Sequence, residues 1–281
     1  MTRFAIIAVL LLSASSLGAA EKRLDKTFTV SPGGLLVVEA DSASVRVSGN
    51  DSNQVTIRMS ANGSEDEVAA THLDAAQQGN DVTVTMKRQR KGGGWFNWGS
   101  WNSEQHVEVT VPRNFNTRVR TGGGDVEQRD TTGTATLRTS GGDVTAKNLG
   151  GTIELRTSGG EIVADTIRGD VDADTSGGDV RLLNIDGKIR GHTSGGSVRC
   201  SLVGRNRGIS ATTSGGDVEL ILPGTVAGNL QASTSGGDIA TEIPVTTTIT
   251  KDDHLSGSLN GGGAAIEART SGGNIRVRAA N

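Results

Sequence analysis

Cysteine is nearly absent, with Cys200 the single example in 281 residues. One thiol excludes a disulfide framework and any metal site built on clustered cysteines. Tyrosine is missing, aromatic residues make up 2% of the chain, and there are 4 prolines. Positive charge is not in excess: 28 Lys and Arg stand against 31 Asp and Glu, a net charge of −3. That balance argues against nucleic acid as a partner, because nucleic-acid binders usually carry a strongly basic domain. Beyond residue 12 no apolar run approaches the roughly 20 residues of a membrane-spanning helix, so no transmembrane segment is expected in a mature chain.

Glycine is what the chain has in abundance, 41 residues. This is about twice the usual ~7%. Glycine and proline together stay below the ~25–30% of low-complexity tracts, so the glycine is positional. The 34% hydrophobic content is enough for a packed core. Residues 1–20, MTRFAIIAVLLLSASSLGAA, read as a signal peptide. Arg3 supplies the positive end, Ala5 to Leu12 the apolar stretch, and Gly18 and Ala20 the small residues of a cleavage site. The expected mature chain is exported, to the periplasm or to the cell surface and medium.

The fold is announced by a repeat. Thr-Ser-Gly-Gly starts at Thr139, Thr157, Thr175, Thr193, Thr213, Thr234 and Thr270, and a TGGGD variant starts at Thr121. Most spacings are 18, stretching to 20, 21 and finally 36, where a degenerate coil around Asp252–Gly257 is expected. Within each unit aliphatic residues alternate with polar ones: Val144 and Ala146, then Ile153 and Leu155. Period-2 alternation predicts two short strands per unit, each with one buried face. Such a unit buries its apolar side only by stacking on the next. The expected class is therefore all-β, a β-solenoid (β-helix) of ~18-residue TSGGDV coils over residues 119–281. Residues 21–118 read as an N-terminal β-rich section. Its strands are predicted over Leu35–Ala40, Ser44–Val47, Gln54–Met59, Asp81–Lys87 and Gln105–Val111. Ser64 and Glu67 form a capping box that predicts a helix over about 65–78, with Gly79 as its stop.

The succession FTVSPGGLLVVEA, a charged helix, VEVTVPRNFNTRVRTGGGDV and then TSGGDV units resembles the bacterial putative-adhesin family. This is a family of exported β-strand-repeat proteins catalogued as a domain of unknown function. The resemblance covers nearly all of residues 27–281 and implies an envelope location and a β-helical fold. It implies no enzymatic activity and assigns no functional residue.

The segment from Lys87 to Trp101 holds all 3 tryptophans, with four basic residues just before them. Lys87, Arg88, Arg90, Lys91, Trp95, Phe96, Trp98 and Trp101 are the candidate ligand- or membrane-binding residues of a loop over 87–102. Tryptophan beside Lys and Arg suits anionic lipid headgroups or an envelope glycan, and a surface protein is a further possible partner. Folding of these tryptophans back over the end of the solenoid is the competing explanation. The acidic row Asp125, Asp143, Glu161, Asp179, Asp217 and Asp238 is read as capping turn amides rather than holding calcium. Arg168-Gly169-Asp170 spells an integrin tripeptide by coincidence with the repeat's own corner glycine. Cys200 reads as a buried hydrophobe, and His72, His106, His192 and His254 fit no ligand spacing. No catalytic residue, cofactor or metal is called for. The expected function is a non-enzymatic envelope protein, an adhesin or a lipid- or glycan-binding module. Its alternatives are a scaffold that self-associates through solenoid ends and, third, a polysaccharide-active β-helix enzyme.

Overall fold

The computed structural model describes residues 8–9, 20–89, 104–251 and 253–280. The described residues are all-β with one short helix, and the chain divides into two compact units, 1–133 and 134–281.

The first unit contains β1 (Ala8–Val9), β2 (Ala20–Thr29), β3 (Leu35–Ala40), β4 (Ser44–Asn50) and β5 (Gln54–Gly63). It continues through α1 (Glu65–Ala70), β6 (Thr71–Gln78), β7 (Asp81–Arg88), β8 (Glu104–Pro112), β9 (Asn116–Arg120) and β10 (Val126–Arg129). Two ladders result. In one, β3 lies between β7 and β9, parallel to both, and β6 closes the outer side antiparallel to β7. In the other, β4 lies between β8 and β10, parallel to both, while β5 and then β2 extend it antiparallel. Inward rows such as Val38, Val84 and Val119, or Val47, Val109 and Ile57, are buried. Burial of one such side chain contributes about 1.5–3 kcal/mol.

The helix is shorter than its sequence signal. Its capping box forms as expected: the Glu67 N–H donates to Ser64 Oγ, and the Ser64 N–H donates to Glu67 Oε2 at 3.0 Å. It ends at Ala70, and residues 71–78 are strand β6. The reason is the period. Thr71, Leu73 and Ala75 alternate with His72, Asp74 and Ala76, so a β-strand buries that set on one face and a helix would scatter it. Gly79 sits in the two-residue turn of the β6–β7 hairpin at φ +62°. That conformation suits a hairpin turn and glycine supplies it freely.

The second unit runs β11 (Ala135–Arg138), β12 (Val144–Arg156), β13 (Ile162–Asp174), β14 (Val180–Asp186), β15 (Ile189–His192), β16 (Val198–Leu202) and β17 (Ile209–Thr212). After these come β18 (Val218–Leu222), β19 (Gly228–Ser233), β20 (Ile239–Thr241), β21 (Thr246–Lys251), β22 (His254–Leu259), β23 (Ala265–Arg269) and β24 (Ile275–Ala279). Parallel pairing at the repeat register places Val144 on Ile162, Ile162 on Val180, Val180 on Val198 and Val198 on Val218. All five are fully buried, giving a β-solenoid-like core.

The end of this stack departs from chain order. β23 pairs with β17 on one side and β19 on the other, and β24 pairs with β18 and β20. The C-terminal unit is thus inserted between its two predecessors. Nor is there a degenerate coil near Asp252–Gly257: β21 and β22 form an antiparallel hairpin laid against β19. The hairpin covers the edge of β19, and β20 is three residues long; covered and short edges protect a sheet against pairing with another chain.

Candidate functional site

The Trp-bearing segment leaves the first unit at a corner between ladders. Met86 of β7 lies beside Ala40 of β3, and His106 of β8 lies beside Ser44 of β4. Between Ala40 and Ser44 the chain needs three residues, Asp41–Ala43. Between Met86 and His106 it spends nineteen, 87–105. The same corner has therefore been expanded by sixteen residues.

Its foot is anchored. Gln89 N donates to Ala70 O at 2.7 Å, and Arg88 N donates to Asp41 Oδ2 at 2.8 Å. Gln105 is buried and accepts from Ser42 Oγ at 3.4 Å. Lys87 Nζ donates to Glu39 Oε2 at 2.6 Å. That hydrogen bond, reinforced by the opposite charge, holds the Glu39 carboxyl below its usual range and pushes the Lys87 ammonium up. Of the candidate residues, Lys87 and Arg88 therefore belong to the foot. Arg90, Lys91, Trp95, Phe96, Trp98 and Trp101 lie outside the described residues.

The remaining motifs resolve into architecture. Each TSGG threonine is buried, and at least five of the seven serve two backbones at once. Thr193 Oγ1 accepts from Gly196 N at 3.3 Å in its own corner and donates to Gly178 O of the preceding one at 2.8 Å. Thr157, Thr213 and Thr270 repeat both bonds. Sequence reading used these threonines as markers and missed this hydroxyl ladder. The signal was a β-branched polar residue fixed at a buried corner. Three members of the acidic row cap amides one level on: Asp143 Oδ1 accepts from Glu161 N, Asp179 Oδ1 from Ser197 N, and Asp217 Oδ1 from Asn274 N, at 2.7–2.9 Å, while Glu161 pairs with Arg181. Asp170 of the Arg-Gly-Asp tripeptide likewise accepts from Lys188 N at 2.9 Å. Cys200 is fully buried, and burial pushes its thiol up to about 12. His192 Nδ1 meets Thr212 Oγ1 at 2.9 Å, and His106 points outward.

This hydroxyl-laced parallel stack agrees with a family model that matches residues 35–278, described as Toastrack DUF4097. The chain belongs to the Toastrack family. The resemblance carried by the TSGGDV units and their leading strands identified the same group, a domain of unknown function in bacterial proteins. Among solved structures, a putative adhesin from Bacteroides fragilis is similar at 12% identity and TM-score 0.47, over 92% of this chain and 97% of that one. A putative lipid binding protein from Parabacteroides distasonis is similar at 13% identity and TM-score 0.34, again over 92% and 97%. A putative cell adhesion protein from Clostridium sporogenes matches at 12% identity and TM-score 0.28, over 92% of this chain and all of its own. No curated protein matches. In this Toastrack chain no helix of the described residues is long and apolar enough to cross a membrane.

Proposed function

We propose that this Toastrack protein is an exported, non-enzymatic component of the bacterial envelope. Its leader is residues 1–20, and its rigid body is a β-solenoid of coils about 18 residues long. It holds phosphate-bearing envelope surfaces, lipid or glycan, through Arg88, Arg90, Lys91, Trp95, Phe96, Trp98 and Trp101. The observation that carries this reading is the sixteen-residue expansion of one corner, into which all three tryptophans of the chain are placed. Indole rings prefer a polar–apolar boundary, and arginine pairs with phosphate in a planar fork. Lys87 is committed to Glu39 and serves as part of the foot.

The other surfaces support a passive body. On the second unit, outward charges neutralise one another between levels, as in Arg138–Glu154 at 2.7 Å, Arg156–Asp172 at 3.0 Å and Arg278–Glu219 at 3.2 Å. In the acidic corner row Asp143, Asp179 and Asp217 are engaged by amides and Glu161 by Arg181, and the thiol is buried. The hairpin β21–β22 and the short β20 weigh against end-to-end assembly at that end.

The test is sedimentation of chain 21–281 with phosphatidylglycerol vesicles, phosphatidylcholine vesicles and purified envelope glycan. A Trp95/Trp98/Trp101→Ala variant runs beside it. Pelleting with the anionic vesicles or the glycan, lost in a variant with an unchanged melting temperature, is the expected result. Equal pelleting of both proteins, or of neither, overturns the assignment.

A further inference from the structure

A groove of about 1000 Å³ in the first unit is lined by Lys26, Phe28 and Val30 from β2 and the following residues, and by Asp74, Ala75 and Gln77 from β6. Its walls are strand edges. Val30 N bonds to Asn53 O, so residues 22, 24, 26 and 28 of β2 turn their backbone groups toward β5. By antiparallel alternation, Arg23, Asp25, Thr27 and Thr29 turn theirs to the open edge of β2, which reaches the groove at Thr29. Gln89 N bonds to Ala70 O, so by the same argument Leu73, Ala75 and Gln77 of β6 face the groove from the other side.

The two edges are joined by side chains. Lys22 Nζ donates to Thr71 O at 2.6 Å, Lys26 Nζ to Ala75 O, and Gln77 Nε2 to Thr29 O at 2.8 Å. These lysines stand on the inward face of β2 with Leu24 and Phe28, an arrangement that guards an edge against unwanted partners. One segment is nonetheless seated there: Ala8 and Val9 pair antiparallel with Lys26 and Asp25.

We propose that the β2 edge is a strand-acceptor site for an extended apolar peptide, and that its occupant is the chain's own N-terminal segment at Ala8–Val9. Main-chain bonds from Arg23, Asp25 and Thr27 supply the affinity, and the apolar floor of Phe28, Val30 and Ala75 selects small aliphatic side chains. Cleavage near residue 20, which belongs to the export reading above, vacates the site. The acceptor therefore opens only in the processed protein.

The experiment compares chain 1–281 with chain 21–281 by amide hydrogen exchange. The probe is a fluorescent peptide of residues 5–12 bearing a lysine tail. Asp25 and its odd-numbered neighbours are expected to exchange at least tenfold more slowly in 1–281 than in 21–281. The peptide binds 21–281 saturably and restores that protection, while 1–281 leaves it free. A peptide N-methylated at Val9, which lacks the pairing N–H, fails to bind. Equal protection in both chains, or binding indifferent to N-methylation, overturns the proposal. Both chains retain residues 87–105, so failure here is separable from failure of vesicle binding.

Discussion

A single side chain can be asked how much of the stack it holds. Thr193 is fully buried with its hydroxyl bonded to two different corners. Thr193→Val keeps the shape and orphans an amide and a carbonyl, at a cost of about 1–3 kcal/mol. Thr193→Ser, which keeps the hydroxyl, should lose less. Urea unfolding that ranks Ser below Val would show that the methyl matters and the hydroxyl ladder does not. The paired glycines differ in the same way. A Cβ on Gly178 would lie 2.2 Å from Gly160 O, and one on Gly177 lies 3.2 Å from Gly159 O. Gly178→Ala must therefore move backbone, whereas Gly177→Ala needs only a small shift. Thr166 is a β-branched residue at φ +59°, in the row where Asn148 and Asn184 adopt the same conformation. Asparagine tolerates that region and threonine does not, so Thr166→Asn should stabilise by about 0.5–1 kcal/mol in the same assay. Cys200 gives a pH signature. Below its ordinary value of 9.0 the thiol is neutral in both states and its contribution is intact. Between 9.0 and about 12 only the unfolded chain ionises it, so stability falls with rising pH. The slope is about 1.4 kcal/mol per pH unit. Cys200→Val should remove that part of the alkaline decline; parallel curves for the two proteins would show that the native thiol ionises in place.

At the scale of elements, the sequence was most legible where successive repeat units along the chain are also neighbours in space. The rows Val144, Ile162, Val180 and Val198 sit in register because an 18-residue spacing and a parallel ladder are the same statement. Strands β3, β4, β7 and β8 were legible from alternation alone. Two elements were not. The capping box at Ser64 is a local signal and was read correctly, but it says nothing about where the helix stops, and tertiary pairing with β7 took Thr71–Gln78. β2 was not read as a strand, because Lys22 and Lys26 interrupt an apolar face whose inward lysines make sense only beside β6. The interval of 36 before Thr270 hid an insertion, since placing the last unit between its two predecessors leaves every local spacing unchanged. That topology makes a prediction that sequential stacking does not. Truncation after Gly263 removes β23 and β24, the partners shared by β17 with β19 and by β18 with β20. Amides in all four flanking strands should lose protection in hydrogen exchange. Loss confined to β19 and β20 would contradict the inserted arrangement.

For the whole molecule, body and proposed binding segment should be separable if their energetics rest on different residues. The body is held by buried aliphatic rows, threonine hydroxyls and interstrand amides, while its exposed ion pairs contribute at most about 1 kcal/mol each. Among the described residues, the segment meets that body at a foot made of Lys87, Arg88, Gln89 and Gln105. The register shows what a minimal corner requires there, since Asp41–Ala43 spans the equivalent gap between β3 and β4. Replacing residues 87–105 by Asp-Ser-Ala should therefore yield a folded protein. It loses the Glu39 ion pair, which is solvent-exposed, the hydrogen bonds of Arg88, Gln89 and Gln105, and the last pairings of β7 with β6 and of β8 with β5. At about 1 kcal/mol for each such bond, destabilisation should stay within about 3–5 kcal/mol, roughly ten degrees of melting temperature for a chain of this size. Vesicle and glycan binding should vanish. A replacement that fails to fold would mean that the tryptophans cover part of the core and belong to the body. A replacement that folds and still binds would move the binding surface elsewhere on the solenoid.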